Sequence, residues 1–241
     1  MLNALICPNC GGTLPPPAPG VTVVSCQYCG TTFSVAKSTT PDAEMGRLLL
    51  GADFGRKPIP GWAFPNEDKI RLIPGARPEL RARFPAGPTL YYALNSSGFF
   101  DDIDASVSFT FYSGNLNDLD AGISLRYRKG VGSYSVLVSP LGTYSVGYYH
   151  PGTSADGSLD WTTIMTWTKH AAIRRGLNQS NRLRFIASGS HLRVYLNGVL
   201  ATTLHDTRYE EGEVLLCSEP GSQADGEVGF TDLQLREVRP E

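Results

Sequence analysis

No run of apolar residues in this chain approaches the roughly 18 that a membrane helix needs, so no membrane partner is expected. Charge is sparse as well: Asp, Glu, Lys and Arg make up 18% of the 241 residues and leave a net charge of −2. Such a balance gives no general attraction to phosphate or anionic lipid. The opening, MLNALICPNC, has no basic segment and reaches a cysteine after few apolar residues, which fails the pattern of a secretory leader. The expected address is cytoplasmic, where thiols stay reduced. Asn95-Ser96-Ser97 and Asn178-Gln179-Ser180 match the glycan-acceptor triplet, which carries no meaning without secretion. Residues 1–36 lack Asp, Glu, Lys and Arg altogether, the first charge being Lys37. Basic contacts to phosphate dominate nucleic-acid affinity, so no nucleic-acid partner is expected for this segment. Beyond residue 55, long helical periodicity is missing too.

What is present at the N-terminus is a thiol cluster. Four of five cysteines fall in two pairs, Cys7-Pro8-Asn9-Cys10 and Cys26-Gln27-Tyr28-Cys29, each followed by glycine, Gly11 and Gly30. The fifteen residues between the pairs lie inside the spacing range of a zinc site. Two thiolates grip one ion from a tight turn when the backbone behind the second cysteine reverses, and glycine adopts the required positive φ most readily. Four thiolates complete tetrahedral Zn²⁺ and leave no open position, so the expected ion is structural. It is also needed, because about 36 residues bury too little apolar surface to fold alone. Disulfides conflict with the expected compartment, and a redox CxxC calls for one pair in a βαβ context.

The pattern resembles the zinc-ribbon family over residues 1 to about 36. Many ribbons bind nucleic acid and others are docking modules; the missing basic residues favour protein contact or capping of the next domain. The intervening TLPPPAPGV is stiff, since consecutive prolines hold an extended path. It reads as a rigid turn between two metal knuckles, with a docking surface as the alternative.

Residues 37–46 read as a linker, in which Thr40, Pro41, Asp42 and Glu44 predict the start of a short helix ending near Gly51. From there period-two alternation takes over. SVSFTF puts Val107, Phe109 and Phe111 on one face, and YSVLV does the same with Tyr134, Val136 and Val138. Leu183 and Phe185 alternate with arginines, SGS turns the chain, and Leu192, Val194 and Leu196 lead into Asn197-Gly198, a strong hairpin signal. Many short strands separated by turns predict an all-β, antiparallel two-sheet sandwich over 47–241.

The segments 53–62, 99–111, 121–138, 183–204 and 225–238 look like successive strands of the concanavalin A-like lectin/glucanase jelly rolls, nearest in flavour to laminin G-like and 3-keto-disaccharide hydrolase-like domains. The resemblance implies a jelly roll hosting lectins, glycosidases or protein-binding modules, and fold alone does not choose among them. Glucanases of this type present two carboxylates about 5–5.5 Å apart from one strand in an E-x-D-x-E run, which this sequence lacks. Glu210, Glu211 and Glu213 surround a glycine and read as a solvated turn.

The histidines His150, His170, His191 and His205 are scattered and read as surface or hydrogen-bonded residues. Ser188, Ser190 and His191 are close in sequence but offer no positioned base or oxyanion pocket. Cys217, in VLLCS, reads as a buried inert thiol. Asp101, Asp102, Asp104, Asn117, Asp118 and Asp120 carry oxygen donors of the type calcium takes, as laminin G-like relatives would use at a sheet rim, but Asp and Asn are also the commonest turn formers, and turns are the stronger reading. Tyr91-Tyr92, Tyr148-Tyr149, Trp161 and Trp167 are the candidate sugar-stacking rings, with Tyr148, Tyr149, Trp161 and Trp167 as the ligand surface. The expectation is therefore a non-enzymatic binding or assembly protein, with zinc on Cys7, Cys10, Cys26 and Cys29 and a protein partner or a second copy as its contact. An intracellular glycan-binding module is the alternative; a hydrolase or a nucleic-acid-binding ribbon ranks below both.

Overall fold

The computed structural model describes residues 5–6, 12–14, 23–30, 32–34, 45–55, 58–87, 90–152 and 159–239. The chain divides into two compact units, Met1–Thr39 and Thr40–Glu241. In the first, strand β1 (Leu5–Ile6) pairs antiparallel with β2 (Thr13–Leu14), and β3 (Val23–Ser25) pairs with β4 (Thr32–Ser34). Each hairpin frames one cysteine pair. Gly30 sits at φ 71° and its N–H donates to the Cys26 carbonyl at 2.9 Å, which is the glycine-closed turn expected behind the second pair. Cys7, Cys10 and the proline loop lie outside the described residues.

The second unit is an all-β antiparallel sandwich of two sheets with almost no helix; among the described residues the helical content is one 3₁₀ turn, Glu67–Lys69. The back sheet runs β17 (Val199–His205), β16 (His191–Leu196), β15 (Ser180–Ser188), β10 (Ile103–Ser113), β19 (Gly226–Arg236), β8 (Glu79–Phe84) and β7 (Ile70–Ile73). The front sheet runs β14 (Leu159–Lys169), β13 (Thr143–Pro151), β12 (Gly132–Val138), β11 (Asp120–Arg128), β18 (Glu213–Glu219), β9 (Tyr91–Ser96) and β6 (Trp62–Ala63).

Alternation decides which face each residue takes. Val107, Phe109, Phe111, Leu183, Phe185, Leu192 and Val194 point inward from the back sheet and meet Ile123, Leu125, Tyr134, Val136, Val214 and Leu216 from the front, all buried. Burying each such side chain is worth about 1.5–3 kcal/mol. The three-strand run predicted around Asn197-Gly198 is present as β15, β16 and β17, with both turn residues at positive φ, 50° and 84°.

The short helix expected to end near Gly51 gives way to a strand where the chain is described. β5 (Leu48–Gly51) pairs with β19, Leu50 opposite Leu235. The end of β19 extends past its pairing with β8, whose register stops at Phe230–Leu80, and its backbone groups need a partner. Three consecutive leucines supply one better than a helix would.

Candidate active site

The outward face of the front sheet holds the functional candidates. Its middle is built from small residues: Gly122, Ser124, Ser135 and Gly147. At Gly122 a Cβ would lie 1.8 Å from the Val136 carbonyl oxygen, and at Gly147 it would lie 2.4 Å from the Trp161 ring, so neither position tolerates a side chain. Ser124 and Ser135 hydroxyls are 2.7 Å apart, and Ser124 Oγ lies 3.6 Å from Cys217 Sγ. Cys217 is fully buried and its thiol is pushed up to about 12 by that burial, consistent with the inert reading.

Large rings flank this floor. Tyr149 of β13 packs on Trp161 of β14 with ring centroids 4.9 Å apart, and Trp161 Nε1 donates to Thr163 Oγ1 at 2.9 Å. Tyr149 is buried on this face, and that burial drives its phenol above the usual range. Trp167, further along β14, is 44% exposed. Tyr148 goes the other way. As the neighbour of Tyr149 it faces the core side, where it packs against Tyr209 at 6.3 Å and lies under the Arg208 guanidinium at 4.3 Å. Of the four predicted ligand-surface residues, the structure thus gathers Tyr149, Trp161 and Trp167 and leaves Tyr148 outside. Tyr91 is also turned away, stacked on Phe84 at 4.6 Å.

Tyr149, Trp161 and Trp167 line a cavity of about 570 Å³ together with Asp118, Asp120 and Glu219. Asp120 begins β11, Glu219 ends β18, and the two are directly opposite in the register. The Glu219 N–H donates to Asp120 Oδ1 at 3.3 Å, and the Ser218 hydroxyl donates to the Asp120 carbonyl at 2.6 Å. Burial, and then the charge of Glu219, hold the Asp120 carboxyl well above the usual carboxylate range. Glu219 is also raised, by burial and then by Asp118. Both carboxyls therefore hold their protons to higher pH than free carboxylates do. An E-x-D-x-E run carries its carboxylates on one strand, whereas these stand opposite each other on two strands about a hundred residues apart in sequence, which no local motif records.

The remaining candidates have local partners. Asn117 N–H donates to Asn115 Oδ1 at 3.1 Å and Asn115 Nδ2 donates to Asp118 Oδ2 at 3.1 Å, the turn chemistry expected of that loop. At the other candidate calcium stretch, arginines stand where a cation would. Arg126 is buried at φ 57°. Its Nε donates to the Asp101 carbonyl at 2.9 Å, its Nη1 to the carbonyls of Gly189 and Tyr209 at 2.9 and 2.8 Å, and its Nη2 lies 3.5 Å from Asp102 Oδ1. Asp104 is held by Arg184 in a two-pronged pair at 2.8 and 2.6 Å. The Asp104 carboxylate and the Asp101 carbonyl are thus engaged by arginines.

Glu211 pairs with Arg128 at 3.6 Å and Glu213 accepts from Asn95 Nδ2 at 3.1 Å. His150 Nε2 lies 3.0 Å from Thr162 Oγ1, and His170 Nδ1 accepts from the Ala172 N–H at 3.3 Å. His191 and His205 meet edge to face at 5.4 Å, and the hydroxyl near His205 Nε2, 2.8 Å away, is Ser190. Among the described residues no group of three or more His, Cys, Asp or Glu side chains is arranged to hold a metal ion. Cys26 is buried and Cys29 exposed.

No protein-family model matches the chain, and no curated protein sequence matches it. Solved structures do. LamAcat from Zobellia galactanivorans is similar over 82% of this chain and 100% of its own, at a TM-score of 0.56 and 12% identity. The laminarinase catalytic domain from Thermotoga maritima is similar over 82% and 100%, at 0.55 and 10%. The β-glucanase of Bacillus licheniformis is similar over 80% and 99%, at 0.52 and 10%. The larger unit therefore has the concanavalin A-like jelly-roll fold of glycanase domains, as the strand pattern predicted. The expectation that the protein is not an enzyme is contradicted by these neighbours, among which the laminarinase catalytic domain and the β-glucanase carry the names of enzymes.

Proposed function

We propose that the sandwich recognises a β-glucan on the outward face of its front sheet, in the cavity lined by Tyr149, Trp161 and Trp167. The observation that carries this reading is the meeting of those three rings with Asp118, Asp120 and Glu219 in one open cavity. Sugar rings present C–H faces that stack on aromatics and hydroxyls that carboxylates accept from, so the lining is matched to both halves of a saccharide. The names of the similar structures, laminarinase and β-glucanase, supply the substrate class. The main expectation, a docking or assembly component, draws no support from the comparisons, whereas its alternative, a glycan-binding module, does. Calorimetric titration with laminarin oligosaccharides tests the proposal; saturable binding supports it, and absence of binding removes it.

A second reading, cleavage of the bound glucan, is favoured by one observation, the raised Asp120–Glu219 pair. A carboxyl kept protonated by burial can give its proton to a glycosidic oxygen, while its ionised neighbour acts as base or nucleophile. Asp120, the more deeply buried, is the candidate acid, and Glu219 the candidate base or nucleophile. Reducing-end release from laminarin, lost in both Asp120→Asn and Glu219→Gln while binding persists, would support cleavage; equal release by the variants would end it.

The N-terminal unit is proposed to be held by one structural Zn²⁺ on Cys7, Cys10, Cys26 and Cys29. The two hairpins framing the cysteine pairs and the positive-φ Gly30 turn fit that donor set. The ion would supply folding free energy and no reactivity.

A further inference from the structure

The cavity beside Trp167 is lopsided in charge. Asp118, Asp120 and Glu219 line it, and among the described residues around it there is no Lys, Arg or His. Two bases stand outside the lining. Lys169 lies opposite Thr143 on β14, three strands from Asp120 and so about 14 Å away at the usual strand spacing. Arg175 lies against the Gly142 turn.

Asp120 is the carboxylate most in need of a partner. Its side chain is 5% exposed, and its Oδ1 accepts one long contact, 3.3 Å from the Glu219 N–H, where an ordinary bond of this kind is about 2.9–3.0 Å. The other oxygen has no hydrogen-bond partner among the described residues. It is not sealed in protein, because it keeps surface on the side of the cavity that Asp120 lines. Glu219, directly opposite, has no side-chain partner among the described residues either. Burial and the neighbouring acids penalise the charged forms of both. A cation carried in by the ligand removes that penalty. The side chains are not grouped for a metal ion, which needs three or more donors at once. An ammonium on a longer ligand needs only one or two of them. The faces of Tyr149, Trp161 and Trp167 suit the same ligand, since aromatic rings attract cations as well as covering C–H groups.

We infer that this cavity prefers a cationic glycan, a β-linked glucosamine chain whose ammonium groups meet Asp120 and Glu219, over a neutral glucan. The inference rests on the glycan reading above and is independent of cleavage. In the complex an ammonium donates to the free Asp120 oxygen and to Glu219, and Asp118, exposed at the turn before β11, faces the next charge along the chain. An N-acetylated sugar keeps the ring and loses the charge, so it gains nothing from the three acids.

Calorimetry on the full-length protein compares hexasaccharides of glucosamine, N-acetylglucosamine and glucose, joined by the same β linkage, at low ionic strength and a pH at which the amines are charged. The glucosamine chain should bind at least about tenfold more tightly than either neutral chain. That advantage should shrink as salt is added. Glu219→Gln and Asp118→Asn keep the shape of the lining and remove one charge each, so each should bring the ratio of affinities towards one, with thermal melts confirming that both variants fold. Equal affinity for the three chains, or an advantage that survives both variants, overturns the preference and leaves the glycan reading intact. Binding of the glucosamine chain alone, lost in both variants, upholds the preference and narrows the glycan reading to amino sugars. Binding of none overturns both.

Discussion

Replacing Trp167 with alanine separates recognition from folding more cleanly than any other change in the cleft. The indole is 44% exposed, so of the roughly 200–250 Å² that such a side chain presents, about 100 Å² is open for a sugar to cover. At ~25 cal/mol per Å² that surface is worth about 2.5 kcal/mol. Because a sugar face is part polar, the realised share is smaller, about 1.5–2.5 kcal/mol, which is a loss of roughly 10- to 60-fold in affinity. The folded state surrenders little, since substitutions at exposed positions usually stay within about 0.5 kcal/mol. Calorimetric titration of wild type and Trp167→Ala with laminarin hexasaccharide, alongside thermal melts, gives both quantities. A dissociation constant within about twofold of wild type, with the melt unchanged, would refute the assignment of Trp167 as a stacking platform.

Asp120→Asn should raise the thermal midpoint at neutral pH. The folded-state value of Asp120 lies above its ordinary 3.8, so its contribution is fully present below that value and is lost as pH rises through the raised one. The variant's advantage should therefore vanish in acid, and a midpoint at neutral pH no higher than wild type would contradict the assignment. Arg126→Met strands the carbonyls of Asp101, Gly189 and Tyr209 and removes the buried cation beside Asp102. A cost of about 3–5 kcal/mol is expected, read as a midpoint drop of about 6–20 °C, and millimolar calcium should not restore it; a drop under about 2 °C would refute the cage. Elemental analysis should find one zinc per chain. Chelation should collapse the dispersed amide signals of the N-terminal unit while the melt of the sandwich is retained, and metal-free protein with those signals intact would end the zinc proposal.

The sandwich was legible because its signal is local. Val107, Phe109 and Phe111 alternate within six residues, and Asn197-Gly198 fixes its own hairpin through backbone geometry that few other residues adopt. The aromatic candidates were half legible for the same reason: adjacency of Tyr148 and Tyr149 guarantees opposite faces, but nothing local says which face is outward. That choice is set by the core, which takes Tyr148 against Tyr209. The carboxylate pair was invisible because Asp120 and Glu219 become neighbours through the pairing of β11 with β18, a long-range register. Arg126 was missed in the same way, since the three carbonyls it gathers come from residues 101, 189 and 209. The segment at Leu48–Gly51 was misread because helix-start signals in 40–44 are local, whereas the open end of β19 that recruits those leucines lies at the far end of the sequence.

Where a bound glucan sits is the most direct test of the proposed site. Crystals grown with laminarin hexasaccharide should have sugar rings lying against Trp161 and Trp167, with hydroxyls directed at Asp118, Asp120 or Glu219. Sugar bound on another surface of the sandwich, or a cleft that stays empty at saturating oligosaccharide, would contradict it.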